Sequence, residues 1–462
     1  MKLKSVIVLT VIALAFWRCD SEITGDLNAN QPPETTIFVK GDSLNTTQSV
    51  QTFYWDGRDP DGFITGFYYT LELNPTADDW TFTSERSGTF ALRITGADTS
   101  YVLQVKAVDN LNLEDPTPAS QEFPIANTRP QVAWSPNSRI PDTTLTVASF
   151  AWSAADPDGD ETIEFIEYAL DDTSNWIQLP GDARSVDLKA ADGLTEGEHV
   201  LWLRAVDIAG ARSQEIRMPE EVVNTWYVKL PRGSYLLIDD YAVESAASGR
   251  PDAYYRGLLN NLLPTIGEDY TYWNIEAQFP ASPRQFTETL KLFDRIIWYT
   301  DIIQNSDPHF IYAQSAIPEF RQNGGKIIYA VQFNSAFGTQ GEPLAFAPVD
   351  TLGTRYNFIA TNQNFYPDPA FATEFPTLQP LPDLKVSTFI LGGAFALKAS
   401  PGAVPMYRYD DPAITTDPLF VILGRNDNTG DFDFVFSGTP LHFLQGNGNL
   451  DELFEIILKD VF

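Results

Sequence analysis

Carboxylates that close apolar runs are the residues of this chain with the clearest capacity for chemistry. Tyr235-Leu-Leu-Ile ends on Asp239, Asp240 and Tyr241, Arg295-Ile-Ile-Trp-Tyr ends on Thr300 and Asp301, and Lys326-Ile-Ile-Tyr-Ala-Val runs on to Asn334 and Ser335. Each run is short, apolar in its interior and bounded by polar residues, the pattern of a strand buried on both faces of a parallel sheet. Ligands of such sheets bind outside the carboxyl ends of the strands. Asp239, Asp240, Tyr241, Thr300, Asp301 and Asn334 are therefore the expected lining of one ligand crevice. Paired carboxylates there bind a cation, a sugar or an amine, or divide acid and base roles if their surroundings split their pKa values. The plainer alternative is that Asp239 and Asp240 cap loops or pair with Arg250 and Arg256. Ser335 with His442 is the one candidate nucleophile and base, although no G-x-S-x-G turn surrounds the serine. Otherwise Ser335 is a polar loop residue and His442 a packed strand-end side chain.

A second set of carboxylates lies on tight turns. Asp59-Pro-Asp61-Gly62 and Asp156-Pro-Asp158-Gly159 place hard oxygen donors close together, and Asp160 and Glu161 extend the second group. Calcium at Asp156, Asp158 and Asp160 is one expectation. Turn chemistry is the other, since Asp bonds nearby backbone N–H groups, Pro presets the bend and Gly accepts positive φ. A cysteine-based zinc cluster and an intramolecular disulfide are excluded, because Cys19 is the sole cysteine. The three histidines, His199, His309 and His442, stand far apart with no HExxH.

The elements that must hold these residues fall into three blocks. Trp55-Asp-Gly-Arg-Asp-Pro-Asp-Gly recurs as Trp152-Ser-Ala-Ala-Asp-Pro-Asp-Gly at an offset of 97, and Tyr69, Trp80 and Lys106-Ala-Val-Asp109 are answered by Tyr168, Trp176 and Arg204-Ala-Val-Asp207. A repeat of about 100 residues is domain-sized. Its alternating apolar residues and turn punctuation read as short antiparallel strands. The two copies, 34–128 and 129–231, resemble bacterial fibronectin type III or immunoglobulin-like modules, which implies two antiparallel β-sandwiches.

After Pro231 strands alternate with helices, predicting a mostly parallel sheet covered on both faces as an α/β three-layer domain over 232–462. Asp252 to Leu263 reads as one helix. Ser315 is the expected cap of another, with Pro318 in its first turn and Gly324-Gly325 as its stop. A last helix follows Asn449. The block resembles the class I glutamine amidotransferase-like, flavodoxin-like fold through "LLIDDY", "FDRIIWYTD", "FRQNGGKIIYAV" and "FDFVFSGTPLHFL", with a long insertion near 340–430. That resemblance implies a catalytic cysteine on the turn after Lys326–Val331 and a His-x-Glu pair after the last strand. The turn here reads Gln332-Phe333-Asn334-Ser335, and no glutamate stands two places after His442. The expected domain is thus a non-catalytic one.

The N-terminus decides the compartment. Lys2 and Lys4 precede an apolar run from Val6 to Trp17 that is shorter than the roughly 20 residues needed to span a bilayer. Residues 1–18 read as an export signal and Cys19 resembles the lipidation cysteine of bacterial lipoproteins, with 19–33 as a tether. A formal charge of −32, from 62 acidic and 30 basic side chains, repels polyanions and argues against nucleic acid as partner. The expected protein is a membrane-anchored lipoprotein of the outer membrane or cell surface that binds or scaffolds a glycan or protein. The alternatives are an extracellular hydrolase using the Asp-lined crevice, and a component of an envelope adhesion or secretion assembly. Labelling with radioactive palmitate should mark the wild-type protein and be abolished in Cys19→Ala; equal labelling of both would remove the anchor.

Overall fold

The computed structural model describes residues 29–38, 50–92, 94, 98–136, 138–242, 249–280, 282–304, 306–333, 335–336, 342–411 and 418–462. Residues 1–18, where the sequence predicts an export signal, together with Cys19 and Asn334, lie outside the described residues. The chain forms two compact units. One comprises residues up to Arg129 with Asp156–Thr162 and Ile208–Ala211, and the other comprises Pro130–Ala155, Ile163–Asp207 and Arg212–Phe462.

In the first unit a three-stranded antiparallel sheet orders Glu34–Phe38, Val50–Arg58 and Ser87–Ala91. A four-stranded sheet orders Thr81–Thr83, Ile64–Thr70, Asp98–Asp109 and Ala119–Ala126. Alternate residues point inward, so Phe53, Trp55, Phe67, Leu103, Val105 and Phe123 fill the space between the sheets. Buried Trp55 keeps its indole N–H satisfied by the Glu85 carbonyl at 2.9 Å.

The second unit opens with the same design. Ser185–Lys189, Val147–Ala155 and Gln131–Trp134 form its three-stranded sheet, and Ile177–Pro180, Ile163–Leu170, Leu201–Asp207 and Ile216–Met218 its four-stranded one. Trp152 donates to the Ala183 carbonyl at 3.0 Å, as its counterpart does to Glu85. The repeated basic residue does the same work in both copies, Lys106 lying 4.3 Å from the Trp80 ring and Arg204 3.8 Å from the Trp176 ring. The three-plus-four strand order makes both modules fibronectin type III-like sandwiches.

The rest of the second unit surrounds one eleven-stranded sheet. Its strands are β1 (Tyr235–Asp240), β2 (Tyr270–Asn274), β3 (Arg295–Ile303), β4 (Lys326–Phe333), β5 (Val349–Ile359), β6 (Asn364–Pro367), β7 (Leu384–Lys385), β8 (Ile390–Ala399), β9 (Val404–Tyr409), β10 (Leu419–Arg425) and β11 (Phe432–Ser437). Neighbours in the order β2-β1-β3-β4-β11 pair in parallel. Every other pairing is antiparallel, so the sheet is mixed where the sequence predicts a mostly parallel one. The cause is the stretch near 340–430, read from sequence as an insertion, which supplies β5 to β10 and continues the sheet beyond β11. Its Ile359, Phe365, Phe371, Leu384 and Ile390 share a core with β1.

Helices α1 (Pro251–Leu262), α2 (Pro283–Leu290), α3 (Pro308–Gln322), α4 (Pro369–Glu374) and α5 (Leu450–Ile456) complete the unit. Leu258 and Leu259 of α1 and Leu453 and Phe454 of α5 pack with Tyr235 and Leu237, whereas Phe286 of α2 and Phe310 and Ile317 of α3 pack with Leu236 and Ile238. Alternate residues of β1 thus serve opposite cores. Helix α3 starts a full seven residues before the predicted cap: Asp307, not Ser315, accepts from the backbone N–H of His309 at 2.9 Å, and Pro318 lies inside the helix. Its stop is as read, with Gly324 at φ +87° and Gly325 N–H bonding the Phe320 carbonyl at 3.1 Å.

Helix α2 also fastens the second sandwich to the sheet. Strand Val147–Ala155 pairs with Gln131–Trp134 only from Trp152 onward, leaving an edge at Val147 to Ser149. Gln285, 3% exposed, fills that edge as a peptide group would, accepting from Ser149 N–H at 2.6 Å and donating to the Val147 carbonyl at 3.0 Å. Arg284 grips Asp187 through two bonds of 2.8 and 2.6 Å, and Lys189 pairs with Glu288 at 3.0 Å. Gln285→Ala should cost about 1–3 kcal/mol by stranding two buried backbone groups. In calorimetry the sandwich and the sheet should lose their common transition; an unchanged thermogram would show that the junction does not depend on Gln285.

Candidate functional site

Strand β1 leads into α1 on one face of the sheet and its neighbour β3 leads into α3 on the other. The connections diverge at this point, and a crevice between strand ends forms where adjacent connections part. Asp239 and Asp240 end β1 there, but strand alternation turns them to opposite faces.

Asp239, 1% exposed, lies on the α1 face. The Tyr272 hydroxyl donates to its Oδ2 at 2.5 Å, Asn274 Nδ2 is 3.3 Å from the same oxygen, and the Tyr241 N–H donates to Oδ1 at 3.2 Å. Burial pushes its carboxyl above the ordinary carboxylate range, and the nearby charge of Asp252 pushes the same way against the stabilising Tyr272 bond. Tyr272 is raised in turn, by burial and by Asp239. Arg256 pairs with Asp252 at 3.5 Å, so it is not the counter-ion of Asp239.

Asp240, 3% exposed, lies on the α3 face. Its Oδ2 accepts from the indole N–H of Trp298 at 3.0 Å, and its Oδ1 is 2.5 Å from Nδ1 of His309. Glu276, just beyond β2, brings Oε1 to 3.6 Å from the same Nδ1. The Phe279 ring, with its centroid 4.0 Å away, packs against the imidazole. Burial disfavours the protonated imidazole, yet Asp240 first, then Asp307 and Glu276, outweigh it and raise the His309 pKa. Glu276 is raised by burial and by the charge of Asp240. A carboxylate that holds one ring nitrogen fixes the tautomer and orientation of a histidine, an arrangement suited to proton transfer or to metal ligation.

Of the other predicted crevice residues that are described, Tyr241 reaches Asp239 only through its backbone N–H, and Thr300 and Asp301 bond locally. Tyr241 enters an aromatic cluster with Tyr299 and His442. Thr300 bonds the Asp301 carbonyl at 2.8 Å and Asp301 accepts from Ile302 N–H at 2.6 Å, so both serve the local backbone. The five of the six predicted residues that are described therefore do not line a common crevice. Ser335 is exposed, whereas His442 is 0% exposed with Tyr241, Tyr255 and Phe443 around its ring. A hydroxyl in solvent and a ring sealed from it do not make a nucleophile and its base. A cavity of about 460 Å³ opens elsewhere, against Glu342, Leu344, Asp350, Thr351 and Ser400.

The Asp-Pro-Asp-Gly turns also differ from the calcium expectation. Asp156 Oδ1 accepts from Asp158 N–H at 2.9 Å, and Asp160 Oδ1 accepts from Asp156 N–H at 3.0 Å. Asp158 Oδ2 accepts from Thr128 N–H at 2.6 Å, as Asp61 Oδ2 does from Gln31 N–H at 3.1 Å. In each copy the second aspartate of the turn thus ties down the segment leading into its module. Spent on backbone N–H groups, Asp156, Asp158 and Asp160 do not gather at ligand distance; among the described residues only Asp240, Glu276 and His309 do, with donor atoms within 4.8 Å.

Sequence reasoning missed His309, Glu276, Trp298 and Tyr272. Their partners lie 33 to 69 positions away, and the available signal was the Asp307-Pro308 helix start, which places His309 at the mouth of β3.

No protein-family model and no curated protein sequence matches the chain. Similar solved structures include the fibronectin(III)-like modules of Clostridium thermocellum CbhA, 16% identical over 43% of this chain and 95% of theirs, with a TM-score of 0.18. A two-domain fibronectin type III segment of chicken tenascin is 14% identical over 40% of this chain and 97% of its own, with a TM-score of 0.23. The FN1–FN3 domains of chicken CNTN1 are 10% identical over 45% and 69%, with a TM-score of 0.21.

Because the folded state raises the Asp239 pKa, ionisation weakens the fold: the stability it costs is intact below the ordinary value of 3.8 and lost as pH rises through the folded value. Asp239→Asn keeps an acceptor for Tyr272 without the charge. It should melt higher than wild type at pH 7, by about 2–4 °C per kcal/mol relieved, and the gain should vanish below pH 3.8. A lower melting temperature at pH 7 would show that the carboxylate's hydrogen bonds outweigh its burial.

Proposed function

We propose that the protein is an exported, lipid-anchored surface protein whose fibronectin type III-like modules support a C-terminal recognition head for a glycan or protein ligand. The observation behind this reading is the Gln285 junction, which makes the second module and the head one unit suited to holding a binding face in a fixed attitude. Supporting it are the basic and apolar N-terminal residues ahead of Cys19, and an acidity that favours solubility at an exposed surface. Among the described residues no helix is long and apolar enough to cross a membrane.

The head's parallel strands follow the order second, first, third, fourth, last, that of flavodoxin-like sheets. We read it as a relative of the class I glutamine amidotransferase-like domains. Where catalytic members keep a cysteine, this chain has buried Gln332 and Phe333, and its histidine at 442 is enclosed by aromatic rings. A second reading, an extracellular hydrolase, is favoured by the imidazole of His309 held by Asp240, a pairing suited to a general base.

The full chain from Cys19 onward should bind a component of a glycan array or an immobilised surface-protein panel saturably at micromolar concentration and return it chemically unchanged in mass spectra. A ligand returned cleaved, with cleavage lost in His309→Gln, would establish the hydrolase instead. No binding at micromolar concentration to either panel would remove the recognition reading.

A further inference from the structure

We propose that Asp240, Glu276 and His309 form a binding site for one first-row divalent transition ion of the zinc class. Three chain segments converge to make it: the end of β1, the loop after β2 and the first turn of α3. One ligand atom from each side chain lies within 4.8 Å of the others. Carboxylate oxygen and imidazole nitrogen are the usual donors to zinc, at bond lengths of roughly 2.0–2.2 Å. Ligands so bound stand about 3–3.5 Å apart, close to the 3.6 Å between His309 Nδ1 and Glu276 Oε1. The 2.5 Å contact between Nδ1 and Asp240 Oδ1 must open by less than 1 Å as the ion replaces the shared proton, which leaves to solvent.

The supports of such a site are already in place. The Trp298 indole N–H holds the second oxygen of Asp240, leaving Oδ1 for the metal, and Phe279 fixes the imidazole plane. Charge points the same way. Asp240, Glu276 and Asp307 all bear on His309, and among the described residues the only ion pairs made by Asp240 and Glu276 are with that imidazole. A cation would relieve the repulsion between the two carboxylates. The Glu276 side chain is 37% exposed, so the cluster has a solvent-facing side where water or an external ligand can complete the coordination. The nitrogen donor distinguishes the site from one for calcium, which takes oxygen ligands.

The inference does not rest on the proposed recognition role, because metal uptake is read without any ligand of the head. The full chain from Cys19 onward, stripped with chelator and dialysed, would be titrated with zinc chloride alone and with calcium chloride alone by calorimetry, with bound metal counted by mass spectrometry. About one zinc per chain should bind at micromolar or lower Kd and raise the melting temperature, while calcium at the same concentration should not. Glu276→Gln, at an exposed position, should keep the apo melting temperature and weaken zinc binding by at least tenfold; His309→Gln should weaken zinc binding at least as much and also lower the apo melting temperature, because it takes the imidazole partner from buried Asp240. Absence of saturable zinc uptake would overturn the site. So would uptake of equal affinity in both variants, the signature of ions scattered over an acidic surface.

Discussion

A strand buried on both faces has no third place for a charge, and β1 ends in two. Tyr235, Leu237 and Tyr241 belong to one core, Leu236 and Ile238 to the other, and the alternation that sorts them also sorts Asp239 from Asp240. Each carboxylate leaves water on its own side of the sheet and has to be solvated by what the facing helix and neighbouring strand provide. On the α1 side the answer is neutral donors, Tyr272 and Asn274. Across the sheet it is an indole and an imidazole, Trp298 and His309. Two environments, one of neutral donors and one with a titratable base, follow from a single step of backbone period.

Burying carboxylates is costly, and tolerance of that cost concentrates at sites with work to do. Structural ion pairs also bury charge, but they bring a strong cation. Arg321 does so for Asp433 of β11, with two bonds of 3.0 and 2.8 Å. Asp240 receives a histidine instead, whose charge is conditional, and a second carboxylate within reach of the same nitrogen. An arrangement chosen for stability alone would resemble the Arg321 pair.

Much of this architecture was legible in the residues. The 97-residue repeat, the inward tryptophans, the buried strands and the Gly324-Gly325 stop are local or periodic signals, and each has a backbone cause. Even the divergence of Asp239 and Asp240 was written in the period of the strand; reading the pair as one crevice attended to their place along the chain and neglected the faces. What local pattern could not supply was partnership across distance. His309 and Asp240 are 69 positions apart, and only the order of β1, β2 and β3 brings the start of α3 over the end of β1. The start of α3 itself went astray because Ser315 has cap chemistry, while Asp307-Pro308 has cap chemistry together with a proline preset for the first helical position.

The Asp-Pro-Asp-Gly turns give the complementary lesson about acidic clusters. In both copies the first aspartate bonds the N–H two residues on, and the second reaches to the segment entering its module, Gln31 in one and Thr128 in the other. A carboxylate that already accepts from backbone N–H groups has little to gain from a metal, since those bonds replace its hydration without moving anything. The Asp240 cluster differs in the kind of partner it holds. Its contacts are side-chain donors, and the imidazole among them can exchange a proton for an ion. The same residue type therefore ends in mechanical service on the turns and in exchangeable coordination at the strand ends, and the distinction lies in whether the neighbouring donor is backbone or imidazole.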